Sequence, residues 1–236
     1  KMERYTEDEN IASEYRKNYM DGLTALIKRK QAEKNKERVE RFTKNLGNLE
    51  NERLEFKKML GWPLVTGDSH KPSMRIEYLG KDDDAFIFRT FTDVFENYAF
   101  YGLLFLKGDT SKDFDVNNID KKPLIIAQHG GLGTPEFCSG IYGDTANYND
   151  MTRRILKNDV HVFAPQMLIW DPERYKLDFE RWDFDRDLKQ VGSSITAVEI
   201  YSLQKVLDIL SEKPYIDGDK IGMIGLSYGG FYTLFT

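Results

Sequence analysis

Ser227 stands in the segment Gly225-Leu226-Ser227-Tyr228-Gly229-Gly230, directly after the apolar run Ile221-Gly222-Met223-Ile224 and the polar stretch Asp217-Gly218-Asp219. A serine with glycine two places before and two places after it, between a strand and a helix, is the pattern that raises a hydroxyl for attack on an acyl carbon. The spacing has a steric cause. So sharp a turn brings residues 225 and 229 together and leaves no room for a Cβ at either. Attack on a carbonyl places negative charge on its oxygen, so preorganised N–H donors are needed as well. One such donor normally belongs to the residue after the serine, here Tyr228, and the other to a glycine loop after an earlier strand. His129-Gly130-Gly131 follows the apolar run Pro123 to Gln128 and stands where that loop should be. Gly131 is the favoured donor, with Gly130 beside it. His129 is expected to brace the turn and is also a candidate substrate contact.

A hydroxyl needs a base to become a good nucleophile. Three histidines are present: His129 in the glycine loop, His70 in Ser69-His70-Lys71-Pro72, and His161 inside the short apolar run Val160 to Ala164. None is well placed for the task. The residues after Ser227 are Tyr228-Gly229-Gly230-Phe231-Tyr232-Thr233-Leu234-Phe235-Thr236, without an acid or a histidine. In the usual chain order the acid and the histidine follow the serine. Both are therefore expected beyond these residues, in a longer protein of which the present piece alone is inactive. A sheet ended at this strand would leave an apolar edge open to pairing.

The elements that must hold these groups follow from the periodicity. From Lys122 onward, the runs Pro123 to Gln128, Val160 to Ala164 and Lys220 to Gly225 read as buried strands. Thr145 to Asn158, with Met151, Ile155 and Leu156 inward, and Ser193 to Leu210 read as helices between them. Such alternation predicts a parallel sheet with helices on its faces. Upstream, Met74 to Leu79 alternates as a half-buried strand does, and Ala85 to Phe95 and Tyr98 to Lys107 read as further strands. Gly108 to Lys122 reads as a polar loop.

The first sixty residues are different, with 27 charged side chains, two glycines and no proline. Ile11, Tyr15, Tyr19, Leu23 and Ile27 recur every four residues, and Val39, Phe42, Leu46 and Leu49 follow at steps of three and four, as helix faces require. This predicts helices ending near Gly61-Trp62-Pro63, either laid against the main domain or acting as a dimerising arm.

Taken together, Gln128-His129-Gly130-Gly131-Leu132-Gly133-Thr134-Pro135-Glu136, then Phe163-Ala164-Pro165, then Asp219 to Gly230 resemble the α/β-hydrolase superfamily. The likeness is best to its dienelactone-hydrolase-like and acetyl-xylan-esterase-like branch, and it extends from about residue 120 to the end. The resemblance implies an α/β-hydrolase fold, truncated after the nucleophile helix begins. A helical extension over residues 1–65 would precede the hydrolase part over 66–236. It also implies a serine esterase acting on small acyl esters, acetylated sugars among them, with Ser227 as nucleophile and no cofactor or metal. Two departures stand out: Gln166 replaces the aspartate common after Ala-Pro, and serine replaces the cysteine of dienelactone hydrolases proper. A peptidase or lactonase on the same fold and a non-catalytic binding module are the alternatives.

The stretch from Gln166 to Gln190 interleaves Trp170, Tyr175, Phe179, Trp182 and Phe184 with Asp171, Asp178, Asp183, Asp185 and Asp187. It could roof the pocket, with Trp170 as a substrate contact, since aromatic planes suit sugar rings; equally it could pack the loop down. The aspartates lack the glycine and glutamate of a calcium loop. With 34 basic and 39 acidic residues the net charge is −5, which speaks against nucleic acid and anionic membranes as partners. The expected partner is a small ester, with self-association through the helical segment. Cys138 is the single cysteine, so no disulfide framework or cysteine-rich zinc site is possible within the sequence, and a buried packing role is expected for it. No signal-like segment opens the sequence, which favours the cytoplasm, although Lys1 before Met2 leaves room for a removed leader.

Overall fold

The computed structural model describes residues 4–45, 47–62, 70–143 and 145–236. Lys1, Met2, Leu46, Pro63 and the expected boundary between residues 65 and 66 lie outside them. The chain divides into two compact units, Lys1–Phe56 and Lys57–Thr236.

The first unit is helical. Helix α1 spans Ser13–Asn45 and α2 spans Leu49–Leu60, the latter running across the division between the units. Pairs such as Lys30–Glu33 and Lys34–Glu37 sit one turn apart on α1, and each is worth about 0.2–0.5 kcal/mol. Arg41 of α1 reaches Glu52 of α2 at 3.1 Å. Ile11, Tyr15, Tyr19, Leu23 and Ile27 are all exposed. Tyr15, Tyr19, Leu23 and Ile27 lie on α1, whereas Ile11 sits in the turn before it.

The second unit carries a six-stranded sheet in the order β1-β2-β3-β5-β4-β6. Strands β1 (Ser73–Lys81), β2 (Phe86–Phe95) and β3 (Tyr98–Leu106) form an antiparallel meander. Strand β5 (His161–Pro165) runs antiparallel to β3, and β4 (Lys122–Gln128) runs parallel to both β5 and β6 (Ile216–Gly225). The period-two rule sorts the strand residues into two cores. Phe86, Phe88, Leu104, Leu106, Leu124, Ile126 and Phe163 face α6 (Ile195–Ser211) through Ile200, Leu203, Val206 and Leu210. Ile87, Leu103, Phe105, Ala127, Val162 and Ala164 face Phe137 and Cys138 of α3 (Pro135–Ser139) and Leu156 of α4 (Met151–Leu156). Helices therefore cover both faces, which is why β3 to β5 read as unbroken apolar runs.

Three expectations need correction. The helix expected over Thr145 to Asn158 is a short 3₁₀ turn, Ala146–Tyr148, followed by α4; Asn149 and Asp150 between them have φ of 49° and 54°, a left-handed conformation that ends a helix. Strand β6 starts at Ile216 rather than Lys220. Its pairing with β4 jumps from Pro123↔Asp217 to Leu124↔Ile221, so the polar stretch is absorbed as an excursion within the strand. The segment Gln166 to Gln190 is not all loop, because it holds α5 (Arg181–Gln190). Helix α7 (Tyr228–Phe235) follows β6. Among the described residues, no helix is long and apolar enough to cross a membrane.

Candidate active site

Because β4, β5 and β6 are parallel, their carboxyl ends share one edge of the sheet, and the chain leaves them as His129, Gln166 and Leu226. Open parallel sheets bind ligands at that edge. Ser227 occupies the two-residue junction between β6 and α7 with φ 54° and ψ −117°, backbone angles that cost a side-chain-bearing residue about 1–3 kcal/mol. The neighbourhood enforces this conformation. Leu226 N–H donates to the Gln128 carbonyl at 3.3 Å, Gly229 N–H to Leu226 at 2.8 Å and Gly230 N–H to Ser227 at 2.9 Å. A Cβ on Gly225 would lie 2.2 Å from the Gly229 carbonyl, and one on Gly229 would lie 2.4 Å from the Gln128 oxygen. Both glycines are thus required by backbone atoms that cannot give way. Ser227 itself is exposed.

Five of the six residues picked out from the sequence meet in one cavity of about 520 Å³, whose lining includes Gly130, Gly131, Trp170, Ser227 and Tyr228. Gly130 lies so near the elbow that a Cβ there would be 3.4 Å from that of Ser227. Its N–H, however, donates to the Tyr148 hydroxyl at 2.9 Å, so Gly130 is occupied as a donor. Among the described residues, no acceptor is found for the N–H of Gly131 or of Tyr228. The Trp170 ring lies against Gly131, 3.0 Å from where a Cβ would be, and Trp170 N–H donates to the Gly131 carbonyl at 3.2 Å.

His129 as a substrate contact is the expectation the structure overturns. Its imidazole is 2% exposed and absent from the cavity lining. Nδ1 lies 2.7 Å from the Gly130 carbonyl, and Nε2 accepts from Met167 N–H at 3.1 Å. A neutral ring with its proton on Nδ1 satisfies both bonds, and burial pushes its pKa down to about 4. It braces the turn. The other histidines are engaged away from Ser227. His161 Nδ1 accepts from Lys107 N–H at 3.0 Å, and His70 Nε2 lies 3.1 Å from the Asp93 carbonyl. Cys138 is fully buried with its thiol pushed up to about 11 by burial, as a packing residue would be. Asp185 accepts from Ile195 N–H at the start of α6 and pairs with Lys189, while Asp183 and Asp187 pair with Arg186.

A larger cavity of about 910 Å³, mostly apolar, adjoins this one across the chain leaving β5: residues 166–169 line it, whereas Trp170 lines the smaller. Phe179 and Phe184 belong to its wall. Two residues at the partition escaped the sequence reading, Arg181 on α5 and Glu199 on α6, which pair at 3.5 Å with almost no exposure. Glu199 did leave a signal. It falls on the stripe Ile195, Glu199, Ser202 and Val206, spaced four, three and four and buried from Glu199 on, where a lone carboxylate demands a partner.

No family model matches the chain, and no curated protein matches it in sequence. Solved structures do match in shape. A protein from Bacteroides fragilis assigned as an acetyl xylan esterase is 18% identical with a TM-score of 0.58, over 78% of this chain and 47% of that one. Acetyl xylan esterase 1 from Thermoanaerobacterium sp. is 13% identical with a TM-score of 0.51, over 76% and 53%. The fold is that of the α/β-hydrolases. The chain spans about half the length of these matched structures.

Proposed function

We propose that this chain carries the nucleophile and oxyanion site of a serine carboxylic-ester hydrolase for small acyl esters. The observation that carries the reading is the strained, exposed Ser227 in the wall of a cavity that Gly131 and Tyr228 also line, two residues whose N–H groups find no acceptor among the described residues. Ser227 Oγ adds to the ester carbonyl carbon as its proton passes to a base. The carbonyl oxygen, now negative, is held by the two amides; each such donor typically contributes a factor of about 10² to 10³ in rate. Collapse expels the alcohol, which takes a proton from the same base, and leaves an acyl group on Oγ. Water repeats the sequence and releases the acid. His70, His129 and His161 are engaged elsewhere, so none of them is assigned the role of base. A cavity of about 520 Å³ with Trp170 in its wall suits a short acyl chain and a ring-shaped alcohol, which favours acetylated sugars.

The test is labelling of the complete gene product with a serine-directed fluorophosphonate, together with turnover of p-nitrophenyl acetate. The expected result is one labelled site, abolished in Ser227→Ala along with turnover by at least about a thousandfold. A complete protein that neither labels nor turns over ester, with Ser227→Ala indistinguishable from the parent, defeats the reading and points to a binding module. Cleavage of peptides in preference to acetates redirects it to a peptidase.

A further inference from the structure

We propose that the buried Arg181–Glu199 pair is a positioning device for the cavity, setting the Tyr228 end of the oxyanion site and the Trp170 wall together. The proposal rests on the reading of Ser227 as the acyl-accepting nucleophile. The geometry converges on one guanidinium. Arg181 Nη1 donates to the Leu168 carbonyl at 2.8 Å and Nη2 to the Tyr228 hydroxyl at 2.8 Å. Its carbon lies 5.3 Å from the centre of the Trp170 ring and 5.0 Å from that of Tyr228, within cation–π range of both; those rings meet edge to face at 5.0 Å. Glu199 fixes the guanidinium from behind. Its carboxylate also accepts from Leu168 N–H at 2.5 Å and from the Tyr232 hydroxyl, one turn along α7 from Tyr228. Leu168 is thus gripped at both its N–H and its carbonyl, two residues before Trp170. Trp170 in turn lies against Gly131.

Packing alone does not call for this arrangement. Burying two charges costs several kcal/mol per ion, and apolar replacements of equal volume are often as stable or more so. What the ions add is direction. A planar guanidinium with fixed donors orients a carbonyl, a hydroxyl and two ring faces at once, and every one of those groups belongs to a residue at or next to the cavity. Arg181 and Glu199 themselves are not among the residues lining the Ser227 cavity, so they act through Tyr228 and Trp170. Displacement of reacting groups by about 1 Å costs about a hundredfold in rate, and that sets the scale of the effect.

The experiment compares Arg181→Met, Arg181→Lys and the double variant Arg181→Met/Glu199→Leu in the complete gene product. The double variant leaves no unpaired buried charge and guards against simple unfolding. Three readouts are taken: kcat and KM for p-nitrophenyl acetate, melting followed by circular dichroism, and emission of Trp170 in a Trp62→Phe/Trp182→Phe background. The expected result is a double variant that melts cooperatively at or above the parent temperature, yet loses about tenfold to a hundredfold in kcat with KM within about threefold. Its Trp170 emission shifts, and Arg181→Lys recovers only part of kcat because ammonium lacks the planar fork. A stable double variant with parental kcat and parental Trp170 emission overturns the proposal. If Ser227→Ala shows that the protein is no esterase, the emission readout still decides whether the pair seats Trp170, so the two readings fail separately.

Discussion

His129 and Glu199 are equally hidden, each about 2% exposed, and each steadies one flank of the same cavity, but in opposite electrical terms. His129 holds the loop after β4 as a neutral ring whose two nitrogens each find one backbone partner. Burial keeps it neutral, with a pKa near 4. Glu199 holds the elbow side through a guanidinium, an amide and a hydroxyl, and burial pushes its carboxyl up to about 7 in spite of Arg181 and the Leu168 N–H. The contrast separates two ways of bracing a site. A neutral donor–acceptor relay is indifferent to pH over the physiological range, whereas a buried ion pair is poised within it.

The sharpest way to break the comparison is to attack the joint both flanks share. Gly229→Ala would drive a Cβ to 2.4 Å from the Gln128 oxygen and 2.6 Å from that of His129. We expect a loss of about 4 kcal/mol or more, at the severe end for single substitutions, seen as failure to unfold cooperatively in urea. A parental midpoint would show that elbow and loop are not wedged together.

His129→Leu comes next. It strips partners from the Gly130 carbonyl and Met167 N–H, each worth about 1–3 kcal/mol when buried and unsatisfied. The pH dependence has a definite sign. The folded pKa lies below that of the unfolded ring, so the unfolded state takes up the proton first as pH falls. Stability on this account is intact above pH 6.5 and is lost between 6.5 and 4, by about 3 kcal/mol in all. Urea titrations at pH 7 and 4.5 should show that loss in the parent, and the leucine variant should lack this group's share of it.

Glu199→Gln, which leaves the Arg181 charge buried without its partner, has the opposite slope. A carboxyl whose folded pKa is raised from 4.5 to about 7 favours the folded state while protonated, so its contribution is full below 4.5 and fades as pH rises to 7. The two side chains oppose one another across nearly the same window, which flattens the parent profile. Removing Glu199 should therefore steepen the acid-side loss caused by His129. An unchanged pH profile of the melting temperature in Glu199→Gln would refute the contrast.

The elbow was legible because part of its constraint is local: a Cβ at 225 is forbidden by Gly229 and Gly230 of the same turn, although the one at 229 is forbidden by the Gln128 and His129 carbonyls from β4 and the loop after it. The alternating strands were legible for the same reason, since period two needs no knowledge of partners. The Arg181–Glu199 pair was not. It depends on α5, whose residues Arg181-Trp182-Asp183-Phe184 show no clean helical stripe, and on α7 arriving from a distant strand. The break at Asn149 and Asp150 escaped as well, because a left-handed residue leaves no mark on an apolar period. His129 was half legible: its brace follows from its place in the loop, but the direction of its ring is a tertiary fact.

The contact of Gly229 with the Gln128 and His129 carbonyls has one more implication. Hydroxyl and hairpin are mounted on a common main-chain scaffold, so thermal motion displaces them in concert and their spacing is preserved while side chains around them change. Leu132, Trp170 and Arg174 in the cavity wall could then be exchanged to admit a different ligand without altering the backbone contacts underneath.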